Sequence, residues 1–136
     1  MISSETWFYH VHDGSWSKGP SMVKERKDHT CAVREKITYV IGGQYGEDKE
    51  NIMEMWNGDS WTHSKISSGN GYMDGSLLEQ HGSLYFFQSP TDDSPVSEIW
   101  KIDGRNRFNK YRNMKYPSHK FALFAVEHNF LTNCGG

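Results

Sequence analysis

Short apolar runs separated by polar turns recur along the chain, and this pattern predicts a series of β-hairpins. The segments that align are residues 29–43, 75–89 and 122–136, which start 46 and 47 residues apart. Each contains an apolar run, a polar turn and a second apolar run, and the turns are residues 34–36, 80–82 and 127–129. Apolar, β-branched and aromatic runs bounded by turn residues are typical of antiparallel strands. We therefore expect two well-buried strands joined by a hairpin in each segment.

A ring residue recurs with the same period and indicates two further strands in each unit. Trp16, Trp61 and Phe108 lie 45 and 47 residues apart, and each follows a turn-rich stretch. A short apolar run precedes each of these stretches, at residues 7–11, 52–56 and 97–102. Helical periodicity is not sustained over any long window. The sequence therefore predicts an all-β fold built from units of four strands, which we call a to d.

These units account for the whole chain as one domain. At 136 residues the chain has the length of a single modest core. Residues 1–16 supply only strands c and d of a first unit, and residues 115–136 supply only strands a and b of a last one. Two complete units cover residues 17–66 and 67–114.

The first complete unit carries the residues of a known repeat. They are Arg26, His29, the run 37–43 that ends in Gly42-Gly43, the segment 54–56 and Trp61. This pattern resembles the kelch repeat of β-propellers, and the resemblance covers the chain from Glu5 onward. It implies kelch-type blades of four antiparallel strands in an incomplete ring of about three blades. The second unit departs from the repeat at Gln88-Ser89, in place of the glycine pair, and at Phe108.

The resemblance implies structural roles for most of the signature residues. Gly42 and Gly43 are expected to permit positive φ and close approach of a neighbouring blade, where any Cβ would collide. The equivalent pair in the last unit is Gly135 and Gly136. Trp16 and Trp61 are expected to fill the space between adjacent sheets as core rings. In the family, residues at the Arg26 and His29 positions tend to hold neighbouring backbone.

Composition and charge restrict the location and the partners. The formal net charge of −2 gives no field that would concentrate nucleic acid or anionic lipid. There is no long apolar stretch and no basic start followed by an apolar run, so we predict neither a membrane span nor secretion. Cys31 and Cys134 are too few to staple a scaffold. We therefore expect a cytoplasmic protein.

No motif of enzyme chemistry appears in the sequence. The His residues form neither a His-Glu-x-x-His motif nor a zinc spacing with cysteine. His10 and His12, beside Asp13, are a weak candidate for a metal site, because an alternating strand next to a turn gives the same residue pattern without any metal. The copper-oxidase propellers use Tyr, His and a cross-linked Tyr and Cys, and that constellation is not readable here. We predict no enzyme, no metal and no cofactor.

Binding is expected on the loops between strands b and c and on the linkers between units. In kelch-type propellers both emerge on one face around the central channel, and that face commonly binds a peptide of a partner. The candidate contacts are Lys24, Arg26, Tyr45, Glu47, Asp48, Tyr72, Asp92 and Asp93, because Tyr and Arg anchor interfaces and carboxylates steer a basic partner. The predicted function is a non-enzymatic protein-interaction module. By resemblance, its partner is a ubiquitin-ligase substrate or actin.

Three alternatives remain beside this hypothesis. They are a propeller enzyme of the oxidase or carbohydrate-acting type, an actin-binding structural repeat fragment, and a partial repeat product without function. The blade count poses a separate question, because three blades are too few for a closed ring. Either the chain is a fragment or shortened relative of a longer kelch protein, or two chains pair as a homodimer that completes a six-bladed ring.

Overall fold

The computed structural model describes residues 2–45, 50–66, 73–90, 96–115, 121–126 and 130–135, with the backbone alone at 45, 121–126 and 130–135. In chain order the strands of these ranges are β1 (Trp7–His10), β2 (Ser15–Lys18), β3 (Arg26–Lys27), β4 (Thr30–Arg34), β5 (Ile37–Ile41), β6 (Gln44–Tyr45), β7 (Ile52–Trp56), β8 (Trp61–Lys65), β9 (Gly75–Gln80), β10 (Ser83–Gln88), β11 (Glu98–Ile102), β12 (Phe108–Asn113), β13 (Phe121–Val126) and β14 (Phe130–Gly135).

The strands form two four-stranded sheets flanked by two hairpins. The first sheet has the order β4-β5-β7-β8, and the second has the order β9-β10-β11-β12. The first hairpin is β1-β2 and the last hairpin is β13-β14, while β3 pairs with β6. All pairings are antiparallel. The prediction of an all-β fold with four-stranded antiparallel sheets is confirmed.

A two-residue turn joins the first two strands of each sheet into a hairpin. Two residues join β4 to β5, namely Glu35 at φ 51° and Lys36 at φ 65°. His81 and Gly82, at φ 52° and 78°, join β9 to β10 in the same way. Positive φ at both central residues is the geometry of the type I′ turn, whose twist matches that of the flanking strands.

The main core lies between the two sheets. Strand alternation places Tyr39 and Met55 of the first sheet on the face toward the second. Leu77, Leu84 and Phe86 of the second sheet belong to the same buried cluster. The sheets meet through their first strands, since β4 lies against β9 and β9 lies against β13. Below, the face toward the next sheet along the chain is the forward face, and the opposite one is the back face.

Arg34 joins the two sheets at the end where β4 turns into β5. Its Nη1 donates to the carbonyl oxygen of Ile102 at 3.0 Å, and its Nη2 donates to that of Asp103 at 3.3 Å. The guanidinium also lies 4.8 Å from the ring centroid of Tyr39. The sequence pattern assigned Arg34 to a polar turn, whereas the side chain is buried at 6% exposure. Hydrogen bonds to two carbonyls and a ring face offset the cost of burying this charge.

In the described ranges, no helix combines the length and the apolar character that crossing a bilayer requires.

Candidate partner-binding surface

The linker before the first sheet and the loop after β5 meet at one end of that sheet. Arg26 pairs with Tyr45 and Lys27 with Gln44 in the short β3-β6 ladder. The next linker reaches the same end, where the Gly43 N–H donates to the carbonyl oxygen of Met73 at 2.8 Å. We call this end, formed by residues 19–28, 42–45, 73–74 and 88–90, the linker edge.

A buried ion pair fixes the linker on the first sheet. The Arg26 Nη2 donates to Glu54 Oε2 at 2.6 Å, and both side chains are fully buried. The Arg26 Nη1 donates to the carbonyl oxygen of Gly42 at 3.1 Å. Backbone N–H groups of Val23 and Lys24 also donate to the Glu54 carboxylate. A buried carboxylate needs several such donors, and the linker supplies them.

The linker alternates between inward and outward side chains, and this corrects two of the predicted contacts. Lys24 is 6% exposed and Arg26 is 2% exposed, so neither presents its side chain to a partner. The period of two in an extended segment turns the intervening residues outward. Val23 is 61% exposed, and Glu25 is exposed as well. The prediction that the side chains of Lys24 and Arg26 contact a partner is therefore wrong, because the fold buries both of them.

The glycine pair lies where the backbone of the next linker approaches β5. Gly42 and Gly43 have φ values of 73° and 88°. A Cβ on Gly42 would overlap the carbonyl oxygen of Met73, and one on Gly43 would overlap that of Lys27. Glycine is the residue that accepts both the positive φ and the close approach. These residues shape the linker edge and contribute no side chain to it.

The two predicted core tryptophans differ in their surroundings. Trp61 is half-buried, and its Nε1 donates to the carbonyl oxygen of Pro20 at 3.0 Å. Trp16, by contrast, is 64% exposed, so its assignment as a core ring is wrong for this chain. Its ring packs on Tyr9, at 4.9 Å between centroids, on the face of the first hairpin that points away from the first sheet. The first hairpin covers the first sheet with its other face, which carries Phe8.

The remaining predicted site residues lie outside the described side chains. Only the backbone is described for Tyr45 in β6 and for Gly135 in β14. The others, which lie outside the described residues altogether, are Glu47, Asp48, Tyr72, Asp92, Asp93 and Gly136.

His29 directly follows the linker that carries Arg26. Loss of solvation lowers the pKa of His29, the nearby charge of Arg26 lowers it further, and Asp28 and Glu54 act in the opposite direction. His29 is therefore neutral at neutral pH and is no cation for an acidic ligand. The His10 Nε2 lies 2.8 Å from the Ser17 hydroxyl. Across the described ranges, no three His, Cys, Asp or Glu residues cluster as metal ligands.

No protein-family model matches this chain, and no curated protein is similar to it in sequence.

Proposed function

We propose that this chain is a kelch-type propeller segment that binds a partner protein, without catalysis, at the linker edge. One observation supports this most directly. The buried ion pair of Arg26 and Glu54 fixes the linker on the first sheet, while the side chains of Val23 and Glu25 face outward. Sites that present loop residues on a rigid scaffold are typical binding surfaces.

The chemistry of the outward side chains indicates the kind of partner. Val23 of the linker is 61% exposed. Glu25 and Asp28 are exposed acidic residues of the linker. An apolar anchor surrounded by carboxylates favours a basic segment that carries an apolar side chain. By resemblance to the kelch family, a ubiquitin-ligase substrate and actin are the partner classes to test first.

The linker edge is tested by affinity capture from a lysate of the protein's source. The variant Val23→Asp combined with Glu25→Lys is compared with Lys36→Glu, which changes an exposed residue of the β4-β5 turn at the opposite end of the sheet. We expect the control to retain the partners of the unaltered chain and the double variant to lose at least about tenfold, equivalent to about 1.4 kcal/mol of binding.

Co-sedimentation with purified filamentous actin separates the two partner classes. Matched unfolding curves of both variants establish that any loss is not a folding defect. Equal recovery of partners by the double variant and the control would reject the linker edge as the binding surface.

A further inference from the structure

β12 is the outer strand of the second sheet and pairs on one side only. Its ladder partner is β11, and the order β9-β10-β11-β12 places no strand on its other side among the described residues. β8 has the same position in the first sheet, although that sheet lies between the first hairpin and the second sheet. The open outer side therefore belongs to these four-stranded sheets, whether or not another sheet lies next to them. Such an edge presents backbone N–H and C=O groups that can pair with an added strand.

The two outer strands lie in regions of opposite charge. Residues 97–115, which contain β11 and β12, carry six cations and two carboxylates, so that their net charge is +4. The corresponding residues 51–69 of the first sheet carry one cation and two carboxylates, a net charge of −1. Because the whole chain has a net charge of −2, the outer half of the second sheet is a basic region of an acidic chain. Its six cations are Lys101, Arg105, Arg107, Lys110, Arg112 and Lys115.

Cations lie on both faces of β12. Lys110 pairs with Trp100, which packs against the core between the two sheets, so that Lys110 lies on the back face. Ile99 is the neighbour of Trp100 in β11 and points to the forward face, and Arg112 pairs with it. The Arg112 guanidinium also lies 4.4 Å from the ring centroid of Tyr111. A strand added beside β12 would therefore have its side chains next to a cation on either face.

The two carboxylates of this region hold their cations only weakly. Lys110 Nζ lies 2.9 Å from Glu98 Oε1, and Arg107 Nε lies 2.9 Å from Asp103 Oδ2. The side chains of Lys110 and Arg107 are 49% and 67% exposed. Because exposed ion pairs contribute little to stability, a carboxylate of a partner can compete for either cation at little cost.

The same cations determine which strands can pair with this edge. Charged side chains on an edge strand oppose pairing with apolar strands, and like charges on neighbouring strands repel a basic one. A strand that carries carboxylates instead meets opposite charge on both faces. The edge of β12 is thus protected against most strands and selective for an acidic one.

We propose that an acidic segment of a partner protein binds beside β12 as a fifth strand of the second sheet. Its backbone pairs with the open side of β12, in the manner of peptides that extend an exposed sheet edge. Its carboxylates lie next to Lys110 on the back face and Arg112 on the forward face. This surface is separate from the linker edge, whose outward carboxylates favour a basic segment, and neither proposal depends on the other.

Fluorescence anisotropy with a labelled peptide that alternates Thr and Glu tests this surface. Threonine favours strands, and glutamate supplies the charge. Two peptides of the same length are controls. Repeats of Pro-Pro-Glu-Glu keep the charge, but adjacent prolines remove N–H groups on both sides of the strand. Alternating Thr and Lys reverses the charge. We expect the Thr-Glu peptide to bind at least about tenfold more tightly than either control, and added salt to weaken its binding.

Two double variants of the protein locate the binding site. Lys110→Glu combined with Arg112→Glu is expected to weaken binding of the Thr-Glu peptide at least about tenfold. Lys36→Glu combined with Lys65→Glu makes the same change in net charge at exposed residues outside the second sheet. This control is expected to bind within about twofold of the unaltered chain, because salt screens distant charges. Far-UV circular dichroism verifies that both variants are folded.

Amide hydrogen exchange followed by NMR measures the strand pairing itself. Outward-pointing amides of residues 108–113 are expected to exchange more slowly when the Thr-Glu peptide is bound, whereas those of residues 61–65 in β8 should be unchanged. Absence of binding, equal binding of the Pro-Pro-Glu-Glu peptide, equal weakening by the two double variants, or unprotected amides in β12 would each overturn the proposal. Tighter binding of an oligothymidylate of equal charge would also overturn it, because it would assign the cations to nucleic acid.

Discussion

The two four-stranded sheets use different chemistry at the same structural position. In the first sheet Val40 pairs with Glu54. The residues 46 positions later in the chain are Phe86 and Trp100, and they pair in the same way in the second sheet. Glu54 is fully buried and is bound by Arg26 of the linker. The Trp100 Nε1 donates to Gln88 Oε1 at 3.1 Å within its own sheet.

This difference shows that the same backbone arrangement accommodates either a buried carboxylate or an indole ring at this position. The carboxylate requires donors from outside the sheet, and the linker that supplies them becomes fixed to the sheet. The indole fills its space with apolar surface and needs one acceptor, which the neighbouring strand provides. The first sheet should therefore depend on its linker, whereas the second should be locally self-sufficient.

The largest expected effect follows from removing the cation of the first sheet. Arg26→Met leaves Glu54 buried without its charged partner, and breaking a buried pair in this way costs about 3–5 kcal/mol. Trp100→Phe in the second sheet removes one hydrogen bond and part of a ring, which should cost about 1–2 kcal/mol. Unfolding in urea, monitored by tryptophan fluorescence and circular dichroism, measures both.

A double variant distinguishes the pair from general damage to the linker. Arg26→Met combined with Glu54→Met removes both charges, and it should be more stable than Arg26→Met alone. Lys110→Gln breaks the exposed pair with Glu98 and should cost less than about 1 kcal/mol. If Arg26→Met costs no more than Lys110→Gln, the dependence of the first sheet on its linker is refuted.

The second expected effect lies at the strand ends, where Gly42 and Gly43 correspond to Gln88 and Ser89. Gly42→Ala places a Cβ against the Met73 carbonyl at positive φ, and we expect a loss of about 3 kcal/mol from backbone strain and overpacking together. Ser89 is 3% exposed, and its hydroxyl has no hydrogen-bond partner among the described residues. Ser89→Ala should therefore change stability by less than about 1 kcal/mol.

Thermal unfolding of these two single variants, each compared with the unaltered chain, sharpens the comparison. A loss for Gly42→Ala as small as that for Ser89→Ala would contradict the close approach of the Met73 carbonyl oxygen to Gly42.

Local features of the sequence were sufficient to predict the strands of the two sheets and the two hairpins, but not the short β3 and β6, which lie in segments predicted as a linker and a loop. The turns at residues 34–36 and 80–82 lie between apolar runs, and both close hairpins through two residues at positive φ. Turn chemistry and a period of two act over a few residues, so that they leave a direct trace in the sequence. The same reasoning explains why the all-β class was predicted correctly.

The surroundings of individual side chains depend on contacts that are distant in sequence. Arg34 bonds to carbonyls 68 and 69 residues away, and Arg26 bonds to a carboxylate 28 residues away. Polar residues in a turn or linker are exposed on average. Arg34 and Arg26 are exceptions, because each is buried against a specific acceptor that is distant in the sequence. Trp16 is the reverse case, since a large ring suggests burial whereas its covering surface is absent from the described part of the chain.

The smallest expected effect concerns the turn between the third and fourth strands. In the first sheet, Asn57 Oδ1 accepts from the N–H groups of Asp59 and Ser60, both at 2.9 Å. In the second sheet the corresponding residue is Asp103, which accepts from the N–H groups of Arg105 and Arg107. The acceptor in the first turn is an amide and the acceptor in the second is a carboxylate, so that only the second acceptor changes its charge with pH.

The backbone N–H of Arg107 is the main cause that lowers the pKa of Asp103 to about 2, and the N–H of Arg105 and the Arg107 guanidinium add to it. A carboxyl whose pKa is lower in the folded chain stabilises it fully above the ordinary value of 3.8, and this contribution is lost as the pH falls toward about 2. The difference in melting temperature between the unaltered chain and Asp103→Asn should therefore shrink over that interval. Carbon-13 NMR titration of the Asp103 carboxyl gives the midpoint directly, and a value near 3.8 would show that the N–H groups of Arg105 and Arg107 do not stabilise the charged carboxyl.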